Sequence, residues 1–324
     1  MKFKFNYIIF FILCFGCIEL NSKQVYMPKS SGNLNDLLLV VNDDLWEGNV
    51  GDAVRNYISS EIYGLPQQEP YFDIRQLSGL VFKDFVRLNR IILQLKISQV
   101  KEVKFYTDPY ASPQKMIVVS APSEIELIEL IKDRASDIIS NFRTTEFNEK
   151  QRRVNKSLFD NSVIKQKLGI EIKFSTAYRI AKAKEDFFWI RRDIENGSLN
   201  LLIYSLPLIK FKNNSSFQDF IIKSRDSISK IEIPGPVEGN YMKTEKSYRP
   251  FSFKTELSNL SVFQTKSLWK VEGAFMSGPF VNYCFTDNLK DRLLIADGFV
   301  YAPAKAKRDY MFELETIIRS IKFE

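Results

Sequence analysis

Apolar and polar residues alternate most regularly toward the C-terminal end, between Trp269 and Tyr310. Phe280 to Phe285 alternates, Asp287–Asn288 is a turn signal, and Arg292 to Val300 returns through Leu293, Leu294, Ile295 and Phe299. Two β-rich runs joined by a short polar turn predict an antiparallel hairpin. Leu268 to Phe275 reads as a third strand, with Trp269, Val271 and Phe275 on one face. Gly278–Pro279 is expected to break the chain before the hairpin. Beyond Pro303, the residues Tyr310, Leu314, Ile317, Ile318 and Ile321 form the stripe of an amphipathic helix, expected to lie back across the sheet.

The rest of the chain repeats this grammar. Leu37 to Val41 is a continuous apolar run, hence a buried strand. Asp44 and Glu47 suit a capping box that opens a helix with Trp46, Val50, Val54 and Ile58 on one face. Gly64 to Pro70 forms an extended loop. Strands are predicted over 91–97, 103–107 and 115–120. Ser123 and Glu126 cap a long helix through Phe142, and a second, highly charged helix is predicted over 149–167. Ile170 to Phe174 alternates as a strand, and Asn196–Gly197 joins two more runs into a hairpin. Ser216 and Asp219 cap a further helix, and Ile233 to Gly239 is a rigid connector. Strands and helices are grouped rather than strictly alternating. The expected class is therefore α+β, with two lobes of antiparallel strands each followed by packing helices, over 37–168 and 169–324.

The 324 residues carry 46 basic and 39 acidic side chains. A net charge of +7 falls to +5 if Lys2 and Lys4 leave with a leader. That is mild for this length and does not describe a nucleic-acid binder. The chain has no histidine, which excludes histidine-based triads and removes the commonest metal ligand. With three cysteines, two of them near the start, no structural zinc site is expected. No cofactor and no metal are expected.

Lys2 and Lys4 precede an apolar run, Ile8 to Phe15, that is too short to span a bilayer. Gly16–Cys17 closes it in the manner of a bacterial lipobox, with Cys14 where leucine is usual. The expectation is a lipoprotein signal over 1–17, acylation at Cys17, a flexible tether over 18–36, and anchorage at the cell envelope in the outer membrane. Acyl chains contribute about 0.8 kcal/mol per buried CH₂, so more than one holds firmly.

The segments DLWEGNVGDAVRN (44–56), GLPQQEPYFDI (64–74), RLNRIIL (87–93), IPGPVEGNYM (233–242), WKVEGAFMSGPFVNY (269–283) and GFVYAPAKAKRDY (298–310) resemble an envelope lipoprotein family of Bacteroidota, domain of unknown function 4837. The resemblance runs over nearly the whole mature chain. It implies a lipid-tethered protein with no assigned activity and carries over no catalytic residues.

The candidate binding residues are Asp44, Trp46, Glu47, Gln67, Glu69 and Arg90 around the first loops, and Lys305, Lys307 and Arg308 at the start of the last helix. Paired carboxylates, with Asp43 and Asp73 added, could do acid–base work on a glycan. Helix starts attract such acids anyway, and capping is the plainer reading. The basic cluster could meet phosphate, lipid headgroups or an acidic partner; a solvated face is the plainer reading there too. Three Ser-x-x-Lys spacings (Ser98–Lys101, Ser112–Lys115, Ser227–Lys230) lack the companion motifs of a penicillin-binding enzyme. The balance favours a non-enzymatic binding or assembly protein with an envelope protein partner. The alternative is a carboxylate-based hydrolase of an envelope glycan or peptide.

Overall fold

The computed structural model describes residues 27–212, 216–257 and 260–324. Cys17 and the expected leader lie outside the described residues. Among them no helix is long and apolar enough to cross a membrane.

The α+β class is borne out. The N-terminal lobe holds β1 (Asp36–Val40), β2 (Asp73–Leu77), β3 (Ile91–Ile97), β4 (Glu102–Thr107) and β5 (Lys115–Ala121), in the spatial order β2-β1-β3-β5-β4. Three of its four pairings are parallel; only the edge strand β4 runs antiparallel. This departs from an antiparallel lobe for a topological reason. Parallel neighbours need long crossovers, and β1 reaches β2 through α1 (Asp43–Glu47), α2 (Asn49–Ala53) and a π turn over Val54–Ile58. The continuous apolar run of β1 is the signature of a strand buried on both faces. Leu37 and Leu39 meet α3 (Glu124–Val154), while Leu38 and Val40 meet Phe82 and its loop.

Ser123 caps α3 as expected, its Oγ accepting from Glu126 N–H and donating to the Glu126 carboxylate. The helix then runs unbroken to Val154, past the break expected between 142 and 149. No capping box opens α1: Asn42 stands at its N-cap, without a side-chain hydrogen bond.

The C-terminal lobe begins with α4 (Ser162–Leu168), β6 (Ile170–Glu171), β7 (Arg179–Ala183), β8 (Phe187–Ile194), β9 (Gly197–Pro207), α5 (Ile209–Lys212) and α6 (Phe217–Glu232). It continues with β10 (Tyr241–Thr244), β11 (Phe251–Leu257), β12 (Leu260–Glu272), β13 (Ser277–Asp287), β14 (Arg292–Tyr301), α7 (Arg308–Ile318) and β15 (Lys322–Phe323). Eight antiparallel strands run β10-β12-β13-β14-β9-β8-β7, with β11 also on β12. Asn196, at φ +58°, turns the β8–β9 hairpin where Asn-Gly predicted it. The expected strand over 170–174 shrinks to β6, which pairs β15.

The predicted hairpin is β13–β14, and it sits at the centre of the sheet. Successive side chains feed opposite cores. Val281, Tyr283 and Phe285 pack with Leu314, Ile317 and Ile318 of α7. Phe280 and Cys284 pack with Phe220 and Ile221 of α6. Cys284 is buried as a free thiol. Gly278–Pro279 does not interrupt the chain, since Leu268 to Lys270 pair with Pro279 to Ser277. A Cβ at Gly278 would lie 2.0 Å from the Val300 carbonyl oxygen, so glycine is what lets the strand pass there. Phe275 does not share a face with Trp269; it stands fully exposed in the β12–β13 turn.

Candidate functional site

The parallel strands of the N-terminal lobe all begin at one edge of the sheet, and that edge faces the C-terminal lobe. Asn35, Asp73 and Arg90 sit there, at the starts of β1, β2 and β3. Glu69 caps α7 across the junction: its carboxylate accepts from Lys307 N–H at 2.8 and 2.9 Å and from Arg308 N–H at 2.7 Å. An acid at a helix N-terminus satisfies orphan donors and meets the positive end of the dipole. The Arg308 guanidinium donates to both oxygens of Asp73 at 3.0 and 2.6 Å and to Asp309 at 2.9 Å. Burial works against its charge, but Asp73 and Asp309 outweigh that and raise its pKa. Arg90, 2% exposed, grips Glu146 of α3 at 2.7 and 3.1 Å and the carbonyls of Gly32 and Asn33.

The structure thus brings Glu69, Asp73, Lys307 and Arg308 together and places Arg90 in the same junction. Their work there is to hold lobes and loops. Asp44, Trp46 and Glu47 are not part of it. They lie on α1, beyond the opposite end of β1, a five-residue strand away or about 16 Å. Trp46 carries the Arg55 guanidinium 4.3 Å over its ring. Gln67 is exposed in its loop, and Lys305 pairs with Glu195 at 2.9 Å. Of the proposed acids, Glu69 and Asp73 are both taken up at α7, and Asp43, Asp44 and Glu47 lie on α1.

The cleft itself was not among the expected sites. It opens beside this junction, between α3, α7 and the face of β11 to β13. Its larger compartment has a volume of about 490 Å³, and Arg143, Phe253, Gln264, Lys266, Tyr283 and Glu315 are among its lining. A second compartment of about 390 Å³ shares Thr144, Phe147 and Arg319 with it. Phe147 stacks on Phe312 at 4.5 Å with the ring planes 9° apart, which seats α3 on α7. Glu315 lies between Arg143 at 2.7 Å and Lys266 at 2.5 Å. Burial raises its pKa, yet the two cations outweigh burial and the carboxyl stays below its ordinary value. Glu313 is held down in the same way, burial being outweighed by Lys150 and Arg192, and it also accepts from Tyr178 Oη at 2.8 Å.

The signal for the cleft was present in part. Arg143, Phe147 and Lys150 recur at i, i+4 and i+7, one stripe of α3. Glu313 and Glu315 sit in α7 among apolar residues, on what an amphipathic reading assigns to solvent. Both are buried, because α7 is covered on one side by the sheet and on the other by α3.

Residues 157–320 match the family described as Domain of unknown function (DUF4837), and the chain belongs to that family. Residues 30–155 match a separate description, Domain of unknown function (DUF8532). The N-terminal segments that resembled the first family therefore fall within the second match. No curated protein matches the chain. Among solved structures, the Ran-binding protein Mog1p of Saccharomyces cerevisiae is similar at 5% identity and a TM-score of 0.32, over 48% of this chain and 89% of its own. A protein from Bacteroides thetaiotaomicron has 12% identity and a TM-score of 0.25, over 48% and 45%. LpqN of Mycobacterium tuberculosis, titled as involved in cell envelope biogenesis, has 9% identity and a TM-score of 0.28, over 47% and 82%. Likenesses this slight carry no argument about function.

Proposed function

We propose that this protein is a non-enzymatic binding protein of the bacterial cell envelope, tethered through lipid on Cys17, and that the cleft between its lobes receives the ligand. One observation carries the reading. The carboxylates nearest the cleft are engaged by neighbouring cations or helix N–H groups, Glu315 by Arg143 and Lys266 and Glu69 by α7. A general acid or base needs a proton to exchange with substrate and a partner group in reach. Acids locked in this way position walls instead. A cleft of several hundred Å³ with placed polar groups is within the size range of small-molecule sites.

Photo-crosslinking from Ser140, which lines the larger compartment, tests the site in intact cells. A defined adduct there, absent from the same probe placed at Lys104 on β4, is the expected result. Adducts only at the remote position would remove the cleft from consideration. Palmitate labelling of the parent chain against Cys17→Ala tests the anchor. A soluble preparation that hydrolyses envelope glycan or peptide, and stops on Glu69→Gln, would replace this reading with the hydrolase.

A further inference from the structure

The smaller compartment is rimmed by cations. Its rim carries Lys173, just after β6, Arg319, at the end of α7, and Lys322, on β15, and no carboxylate lines it. None of the three cations is in an ion pair among the described residues. Glu324 is engaged by Lys165, and Glu171, across from Lys322 in the β6–β15 pairing, is engaged by Lys165 and also feels Lys322 and Lys173 without an ion-pair contact to either. Arg319 lies 4.6 Å above the Phe147 ring, near enough to the buried Glu315 carboxylate to help hold it down, though that acid is already bridged by Arg143 and Lys266. Three like charges around one basin repel one another, Lys173 and Arg319 being half-buried and Lys322 exposed to solvent that screens it.

A second, independent observation points the same way. Gln151, on α3, lines the compartment, and its Nε2 is buried with no hydrogen-bond acceptor. A buried donor left unmade loses its hydration without replacement. α7 ends at this basin, and its negative end would work against an anion. Its last carbonyls are nevertheless bonded: Glu315 O accepts from Arg319 N–H, Ile317 O from Ser320 N–H and Ile318 O from Ile321 N–H.

We infer that the basin formed by Gln151, Lys173, Arg319 and Lys322 binds the phosphoryl group of a phosphate ester, with the organic part of the ligand lying in the larger compartment. The inference rests on the cleft being a binding site and names the ligand class. A phosphate monoester carries close to two negative charges and three acceptor oxygens. That matches three cations and one orphan donor better than a single carboxylate does. The volume of about 390 Å³ exceeds what bare phosphate fills. The adjoining Phe253 offers an exposed ring for a sugar or a headgroup to pack on, beside the buried Gln264, whose Nε2 donates to Tyr283 Oη.

The test uses the full chain carrying Cys17→Ala, so that no acyl chain competes. Binding is measured by calorimetry to inorganic phosphate and to glucose 1-phosphate. Flotation is measured with phosphatidylcholine vesicles containing or lacking phosphatidic acid. Binding of glucose 1-phosphate supports a soluble ester, and flotation only with phosphatidic acid supports a lipid headgroup. The paired Lys173→Gln, Arg319→Gln variant is expected to weaken whichever arm binds by about tenfold or more, since charge-assisted contacts are the strong ones. Gln151→Leu should weaken it less, and Lys104→Gln not at all. All three variants should retain the parent's melting temperature within a few degrees. Failure of every phosphate arm, or an unchanged affinity in the paired variant, overturns the inference. If Ser140 still crosslinks in cells while every phosphate arm fails, the cleft stands as the site and the phosphate ester does not.

Discussion

Two buried charged centres in this molecule are built differently. At the lobe junction, Glu146, Glu313 and Glu315 each accept from two or more groups drawn from different elements. Beneath α6, Arg225 and Asp297 form one pair at 2.9 Å, both fully buried, with Asn282 donating to the same Asp297 oxygen. There Asp297 Oδ1, Asn282 Oδ1, Tyr204 Oη and Ser229 Oγ have no hydrogen-bond partner, and Arg225 Nη1 has only the Asp226 carboxylate, 3.7 Å away. Glu313 and Glu315 find partners in both lobes, and Glu146 finds its own in Arg90 and the Asn35 N–H beside it in the N-terminal lobe. The α6 face is apolar, with Phe220, Leu293 and Phe299 around the pair, and has few to give. Burial raises the pKa of both Asp297 and Glu146, although Arg225 and Arg90 respectively oppose it.

The contrast is sharpest where a partner is removed. Glu146→Ala strands Arg90 in the interior and should cost about 3–5 kcal/mol by denaturant unfolding. A loss under about 1 kcal/mol would mean that water reaches Arg90 and the junction is looser than described. Under α6, Arg225→Met should cost a similar amount by stranding Asp297. The double variant Arg225→Met, Asp297→Leu should recover to within about 1 kcal/mol of the parent, because an apolar pair suits an apolar face. A double variant as unstable as the single one would break the comparison.

Acid sorts these carboxyls by sign, and the division runs through the junction itself. Glu313 and Glu315 sit below the ordinary value of 4.5, so their stabilisation is present above that pH and is lost as pH falls through their folded values. Glu146 and Asp297, raised by burial, act oppositely: they favour the fold most when protonated, and that preference is lost as pH rises through their folded values. Glu149, held down to about 2, and Glu232 join the lowered side, cations outweighing burial at both, so unfolding free energy should fall from neutral pH to pH 3, and Glu313→Gln with Glu315→Gln should flatten the fall. The smallest effect lies outside both centres. Ser123→Ala removes the α3 cap and should cost about 1 kcal/mol, read as a lower denaturation midpoint with an unchanged slope.

Short-range signals carried their elements faithfully. Asn196–Gly197, the Ser123 and Ser216 caps, the alternation of Phe280 to Phe285 and the apolar stripe of α7 are each decided by neighbours within a few residues. Where a tertiary contact could overrule them, they failed. Gly278–Pro279 reads as a break, but the close approach of β14 makes it a strand. A local signal also failed without any such contact: Asp44 and Glu47 read as a capping box, but α1 starts earlier, at Asp43 behind an N-cap Asn42 that makes no side-chain hydrogen bond. The candidate site was legible only in its outskirts: Glu69, Arg90, Lys307 and Arg308 reach the junction, while Gln151, Lys173, Arg319 and Lys322 come from segments separated by up to 171 residues.

The amino-acid sequence alone settled the α+β class, the central hairpin, the closing helix and the absence of histidine chemistry, because periodicity, capping and composition are local properties. Only the tertiary structure decided that the N-terminal strands pair in parallel, that Glu313 and Glu315 of α7 are interior, and that three cations share one basin. Those depend on which faces meet after the chain has folded back on itself, and side chains far apart along the chain carry no record of that until it does.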